Sequence, residues 1–217
     1  MTPVTPVTPV NSATTLLVIA KEPRPGRVKT RLTPPFTPET AAALAEASLA
    51  DTLRTVAATP ARRRVLVLDG TPGRWLPPGF DVVPQCAGGL DERLARAFAD
   101  CDGPALLIGM DTPQVTPDLL TVDFADCDAY FGPAEDGGFW ALGLAEPDPG
   151  LLRGVPMSTP TTGAVQRARL VSAGLRVRDL PQLRDVDTVA DAEAVAEMAP
   201  GTRFAAELQR HRAVTGR

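Results

Sequence analysis

Four segments of this chain concentrate residues that can do chemistry. The first runs Lys21-Glu22-Pro23-Arg24-Pro25-Gly26-Arg27-Val28-Lys29-Thr30-Arg31. Five basic residues and one acid give it a charge of +4. The whole chain carries −4, so the remainder carries −8. A concentrated positive loop on an acidic protein suits an anion, and phosphate is the natural one. Gly26 lets backbone approach a ligand closely. Lys29 offers a point charge and Arg31 a planar fork for phosphate oxygens. The GxxxxGK[ST] spacing of a Walker A loop is absent. The same residues also fit a solvated basic loop.

The other three segments are acidic. Gly109-Met110-Asp111-Thr112-Pro113 follows an apolar run. An acid there projects past the end of a buried strand. Mg²⁺ binds through one or two carboxylates plus substrate phosphates, which suits Asp111; a turn aspartate fits equally. Gly132-Pro133-Ala134-Glu135-Asp136-Gly137-Gly138 sets two acids beside two glycines. It suits a substrate or metal loop, and Asp-Gly is also a strong hairpin signal. Asp185-Val186-Asp187-Thr188 alternates two acids before a helix start. Acids there favour the helix dipole, yet period 2 can also set one of them in a cleft.

Composition narrows the chemistry. The 217 residues are 44% hydrophobic and 22% charged, ordinary for a globular protein long enough to bury a full core. The acidic balance argues against a general nucleic-acid binder. No apolar run approaches the ~18 residues that span a bilayer. Cys86, Cys101 and Cys127 show no C-x-x-C spacing, and His211 is the sole histidine. A disulfide framework, a Cys/His zinc site and a Ser-His-Asp hydrolase are all disfavoured. Acid-base or metal chemistry must therefore use carboxylates, lysine or arginine. Cys86 reads as a buried small residue, Phe139 and Trp140 as core or pocket wall, and Ser158 and Thr159 as helix-capping.

The elements that must position these segments follow from local pattern. Residues 1–13 carry a Thr-Pro-Val repeat and read as a disordered or extended tail, because proline at every third position forbids a helix. They lack the features of a signal peptide, so the expected location is cytoplasmic. Residues 14–217 read as one domain. Residues 15–20 form a short apolar run suited to a strand buried on both faces, and 21–36 a loop. Thr37-Pro38-Glu39 opens a helix whose apolar face is Ala42, Ala45, Leu49, Leu53 and Val56. Strands are expected at 64–68, 81–84, 105–109, 128–132, 139–144 and 175–179, and helices at 90–98, from 116, at 159–173, from 188 and after Pro200. Strands alternating with helices predict an α/β domain, a mainly parallel sheet with helices on both faces. Ligands then bind beyond the strands' C-terminal ends, at the loops after Ala20, Gly109 and Gly132.

Taken in order, the four motifs resemble one family. Ala20-Lys21-x-Pro23-x-Pro25-Gly26-x-Val28-Lys29-Thr30-Arg31-Leu32 is similar to the opening signature of glycosyltransferase-A-like transferases of unknown substrate, of the radical-SAM/selenodomain-associated type. Ile108-Gly109-x-Asp111-x-Pro113, Gly132-Pro133-Ala134-x-Asp136-Gly137-Gly138 and Asp185-Val186-Asp187-Thr188 complete the pattern, which covers roughly residues 15–195. Phospholactate guanylyltransferases and molybdenum-cofactor nucleotidyltransferases are more distantly similar. The chain departs from the family pattern in three places, the first two of them on the acceptor side. Gly88-Gly89-Leu90-Asp91-Glu92-Arg93 exchanges an Asp and a Gly, Met157 stands for a Trp, and Phe139 for a Tyr.

The resemblance implies a nucleotide-diphospho-sugar transferase (GT-A, Rossmann-like) fold, a bound nucleotide and a divalent metal, Mg²⁺ or Mn²⁺. The leading expectation is nucleotidyl transfer from a nucleoside triphosphate to a small phosphorylated or phosphonate acceptor. The alternatives are a glycosyltransferase using a nucleotide-sugar and a non-catalytic nucleotide-binding module. Lys29 and Asp111 are the expected catalytic residues. Ala20, Lys21, Gly26, Lys29, Thr30, Arg31 and Gly109 are expected at the nucleotide, and Asp136, Gly137 and Gly138 at the acceptor. Asp111 is expected to hold the metal, with Asp136 or Asp187 as second ligand. Partners are then small molecules, with no nucleic acid and no membrane; a homodimer is compatible with this reading.

Overall fold

The structure, a computed structural model, describes residues 13–215. The expected tail at 1–13 therefore lies, but for its last residue, outside the described residues. Seven strands form one sheet in the order β3-β2-β1-β4-β6-β5-β7. They are β1 (Thr15–Lys21), β2 (Arg63–Asp69), β3 (Asp81–Pro84), β4 (Ala105–Ile108), β5 (Ala129–Pro133), β6 (Phe139–Leu144) and β7 (Val177–Asp179). The helices are α1 (Pro38–Ala58), α2 (Leu90–Ala99), α3 (Pro117–Leu120), α4 (Thr162–Ser172), α5 (Val189–Met198) and α6 (Arg203–Thr215).

Strand β1 shows why the sheet is buried on both sides. Leu16, Val18 and Ala20 face a cluster with α1, whereas Leu17 faces a cluster with α2 and α4. Successive side chains point to opposite faces, so an unbroken apolar run serves two layers. On α1, the stripe Ala42, Ala45, Leu49, Leu53 and Val56 is buried against the sheet as its spacing predicts. Thr40 N–H donates to Thr37 Oγ1 at 3.2 Å, the expected cap. The other flank of α1, with Ala41 and Leu44, packs on α5 and α6 through Val195, Phe204 and Leu208. Buried Asp51 ties α6 down: its carboxylate accepts from the backbone N–H groups of Arg203 at 3.1 Å and Phe204 at 2.8 Å.

The sheet is mixed. β6 runs antiparallel to both β4 and β5, and every other pair is parallel. The cause is the hairpin at 134–138: Gly137 N–H donates to Ala134 O, and Ala134 N–H to Gly138 O. Asp-Gly thus makes the turn that the sequence admitted as one alternative.

Two boundaries differ from expectation by two residues or more. α4 starts at Thr162, not at Thr159-Pro160, because Ser158 takes φ +58° and the Thr159, Thr161 and Thr162 hydroxyls bond among themselves in the turn before it. β7 starts at Val177, not Leu175, because Leu175 N–H donates back to Leu170 O and closes the helix over left-handed Gly174. Cys86 is half-buried, whereas Cys127 is the buried cysteine. Among the described residues, no helix is long and apolar enough to cross a membrane.

Candidate active site

A cavity of about 420 Å³ opens at the C-terminal edge of the sheet. Parallel register explains its floor. Val18 of β1 pairs with Ile108 of β4, so the chain leaves both strands side by side, about 5 Å apart. Ala20 and Lys21 then neighbour Gly109, Met110 and Asp111 along the cavity. Ser48 Oγ of α1 donates to Met110 O at 2.8 Å and steadies that loop. The late acidic segment is stitched to the same loop, since Val186 N–H donates to Asp111 O at 3.0 Å. Val186 is buried in the core, so the residues on either side of it, Asp185 and Asp187, both line the cavity.

Lys29 sits at the centre of this charge cluster. Its backbone is left-handed, φ 48° and ψ 39°, at the start of a 3-10 turn over Thr30–Leu32 whose Leu32 is fully buried. A lysine with positive φ is uncommon and is held there by its surroundings. Its ammonium lies 2.9 Å from Asp111 Oδ2 and 3.2 Å from Asp187 Oδ1. Arg31 Nη1 takes the other oxygen of Asp187 at 2.9 Å. Burial alone would lower the pKa of Lys29; the charges of Asp111 and Asp187 outweigh it and raise it.

Asp185 has no such counter-ion. Burial, then the charges of Asp111 and Asp136, push its carboxyl up to about 7, with Lys29 offsetting part of the rise. Asp111 Oδ1 and Asp185 Oδ1 are both buried without a hydrogen-bond partner. Asp136 is exposed at the rim, and its Oδ1 accepts from Gly138 N–H at 2.8 Å.

The structure brings Ala20, Lys21, Lys29, Thr30, Arg31, Gly109, Asp111, Asp136, Gly138 and Asp187 to one cavity. Gly26 and Gly137 do not line it. Gly26 is an exposed turn residue with φ +73°, and Gly137 packs against the Pro160 carbonyl. The expected metal carboxylates Asp111, Asp136 and Asp187 all line the cavity; among the described residues, no group of three or more Asp, Glu, His or Cys side chains is arranged to hold a metal ion. The Lys29 ammonium lies between Asp111 and Asp187.

Asp185 and Gln85 also line the cavity, though local sequence pattern assigns neither a role there. Gln85 follows β3 and donates through Nε2 to Ala20 O at 2.7 Å, and Arg93 Nη1 donates to Gln85 Oε1 at 3.3 Å. A polar residue one step past an apolar strand was the available signal. Leu90, Leu94, Met157, Ser158 and Thr162 also line the cavity, with Phe139 and Trp140 as its wall.

A family described as "Uncharacterized protein conserved in bacteria (DUF2064)" matches residues 40–159. No curated protein matches the chain. Among solved structures, a protein of Desulfovibrio desulfuricans G20 assigned as a nucleotide-diphospho-sugar transferase superposes with TM-score 0.82 at 26% identity, over 92% of this chain and 95% of that one. CMP:2-keto-3-deoxy-manno-octonic acid synthetase, complexed with CTP, gives 0.55 at 14% identity over 87% and 99%. Rv0371c of Mycobacterium tuberculosis H37Rv, complexed with manganese, gives 0.52 at 22% over 86% and 98%. The chain belongs to the DUF2064 family, and its domain is an α/β domain of the GT-A, nucleotide-diphospho-sugar transferase type.

Proposed function

We propose that this protein is a cation-dependent nucleotidyltransferase, moving a nucleotidyl group from a nucleoside triphosphate to a small phosphorylated or sugar-type acceptor. One observation carries the reading. Two buried carboxylate oxygens without partners, on Asp111 and Asp185, stand beside the clustered cations Lys29 and Arg31. That pairing suits a polyphosphate arriving with a divalent cation. Mg²⁺ needs only one or two carboxylates when phosphates complete its shell, so the residues present fit it without a protein cage. Asp111 and Asp185 would hold it, with Asp136 and Asp187 at hand, and it would neutralise charge on the phosphates.

In the step proposed, an anionic oxygen of the acceptor, carrying no proton to lose, attacks the α-phosphorus. The new P–O bond forms as the α–β bridging P–O bond breaks, and pyrophosphate leaves with the electron pair. Lys29 and Arg31 would hold the triphosphate in line and balance the charge on the departing pyrophosphate. Lys21 and Arg27, exposed and in no ion pair among the described residues, would draw the anion in. Ala20 and Gly109 would line the nucleoside end of the cavity, and Gly138 and Ser158 the acceptor end. Such chemistry rests on positioning and charge more than on acid-base groups.

Glycosyl transfer from a nucleotide-sugar is the second reading, favoured by the assignment of the D. desulfuricans relative. The signature at residues 20–32 supports placing the chain with the radical-SAM/selenodomain-associated transferases. We read residues 14–217 as one functional domain working in the cytoplasm, where nucleoside triphosphates are made.

A thermal-shift screen of nucleoside triphosphates and nucleotide-sugars with Mg²⁺ tests the proposal. A ligand at a hundred times its dissociation constant stabilises by about 2.7 kcal/mol. Triphosphate-selective stabilisation, followed by acceptor-dependent pyrophosphate release, is the expected result. Stabilisation by nucleotide-sugars alone would favour the second reading.

A further inference from the structure

Lys29 holds the place that a divalent cation would need. Its ammonium touches Asp111 at 2.9 Å and Asp187 at 3.2 Å, the same carboxylates that would face the cation. We propose that Lys29 excludes a divalent cation from the site in the absence of nucleotide, so that the cation binds stably only together with a polyphosphate. This rests on the nucleotidyl-transfer reading above and adds an order of assembly to it.

The exclusion is electrostatic. A cation reaching Asp111 alone must share that carboxylate with a buried ammonium or push it aside. The ammonium then needs another anion, because an unpaired buried charge is costly. Lys29 cannot leave easily. Its backbone is fixed in the left-handed region, and Leu32, three residues on, is locked in the core. Only the side chain can move, and Asp187 is already shared with Arg31. A polyphosphate changes the balance by supplying anionic oxygens to which Lys29 can transfer, leaving Asp111 and Asp185 to the cation. The absence of a three-ligand cage among the described residues fits a site completed by phosphate. Coupling of this kind is reciprocal, so cation and polyphosphate each raise the affinity for the other.

The test is a titration with Mn²⁺ alone, free Mn²⁺ being read by its electron paramagnetic resonance signal. Wild type, Lys29→Met and Arg31→Met are compared without nucleotide. Lys29→Met should bind Mn²⁺ about tenfold or more tighter than wild type, within the usual range of coupling strengths. Arg31→Met removes a cation from Asp187 while leaving Lys29 on Asp111, and should stay close to wild type. Unchanged or weaker binding in Lys29→Met overturns the proposal. So does equal tightening in both variants, since net charge alone would then govern. A second measurement uses the intact chain, following the Lys29 side chain by NMR. Mg²⁺ alone should leave its resonance in place, and Mg²⁺ with a non-hydrolysable triphosphate should move it. An equal shift with Mg²⁺ alone overturns the idea. Failure of every nucleotide to bind would instead sink the nucleotidyl-transfer reading, while the Mn²⁺ titrations still decide this one.

Discussion

Gly163 donates its backbone N–H to the carbonyl of Gly137 at 2.8 Å, joining the start of α4 to the turn between β5 and β6. The two backbones touch. A Cβ on Gly137, whose φ is +87°, would stand 2.0 Å from Pro160 O, and one on Gly163 would stand 2.4 Å from Gly138 O. This junction sets Asp136 and Gly138 across from Ser158 and Thr162 on the cavity wall. Gly137→Ala should therefore destabilise the protein by about 1–3 kcal/mol, through backbone strain and displaced backbone. Urea denaturation measures it. A loss below about 0.5 kcal/mol, the scale of a neutral surface change, would show that turn and helix move apart freely.

Asp111→Asn should leave the fold intact and cut cation-dependent turnover by about 100-fold or more, because a carboxylate facing the cation contributes several kcal/mol to the transition state. Circular dichroism and a pyrophosphate-release assay separate the two effects. A rate near that of wild type would remove Asp111 from the chemistry.

Lys29 and Arg31 should behave alike in binding and differently in stability. Each alanine variant should bind triphosphate about 10- to 150-fold more weakly, and monophosphate with a smaller loss, as charge-assisted bonds to phosphate are worth ~1.5–3 kcal/mol. Arg31 is 72% exposed, so its loss should cost the fold no more than about 1 kcal/mol. Lys29 is buried between two carboxylates, and its removal leaves them unbalanced, so Lys29→Ala should lower the melting temperature more. Calorimetric titration with mono-, di- and triphosphates checks the first part and thermal unfolding the second. Equal losses for all three nucleotides would put the loop at the nucleoside end.

Asp185 gives the stability a pH dependence of definite sign. Its folded pKa, about 7, lies above the ordinary 3.8. Between these values the unfolded chain gives up the proton and the folded protein keeps it. The stability linked to this group is therefore complete below pH 4 and is lost as pH rises towards 7, with little further change above. Asp185→Asn should remove that slope and leave the variant more stable than wild type at pH 8, by no more than about 4 kcal/mol for a shift of this size. Paired unfolding curves at pH 4, 6 and 8 decide it; parallel wild-type and variant profiles would refute the assignment.

Asp51→Ala should destabilise by about 2 kcal/mol, since two backbone N–H groups at the start of α6 lose a charged acceptor. Amide exchange should speed first in α6. Unchanged protection there would mean that Phe204 and Leu208 hold the helix by themselves.

Much of this architecture is written in local pattern. The run 15–20 fixes a two-faced strand because five of its six side chains are buried, on both faces of the sheet. Thr37-Pro38 fixes the start of α1, and Thr188 with Asp191 closes a capping box in which each residue bonds the other's backbone. The charge of the 21–31 loop and the position of Asp111 past an apolar run mark the cavity edge by residue type and order alone. What the sequence could not carry were relations between distant segments. Asp185 and Asp187 reach the cavity through one backbone bond, Val186 to Asp111, and nothing in either segment encodes the other. Lys29 reads as a phosphate ligand by type; only folding sets it against carboxylates 82 and 158 positions away. Gly137 looks like part of the site by type, and only the fold sets it against the Pro160 carbonyl, off the cavity lining. Residue type and spacing determine short-range structure and charge, whereas ion pairs and close backbone contacts depend on strand order. Strand order is decided by the packing of the whole sheet.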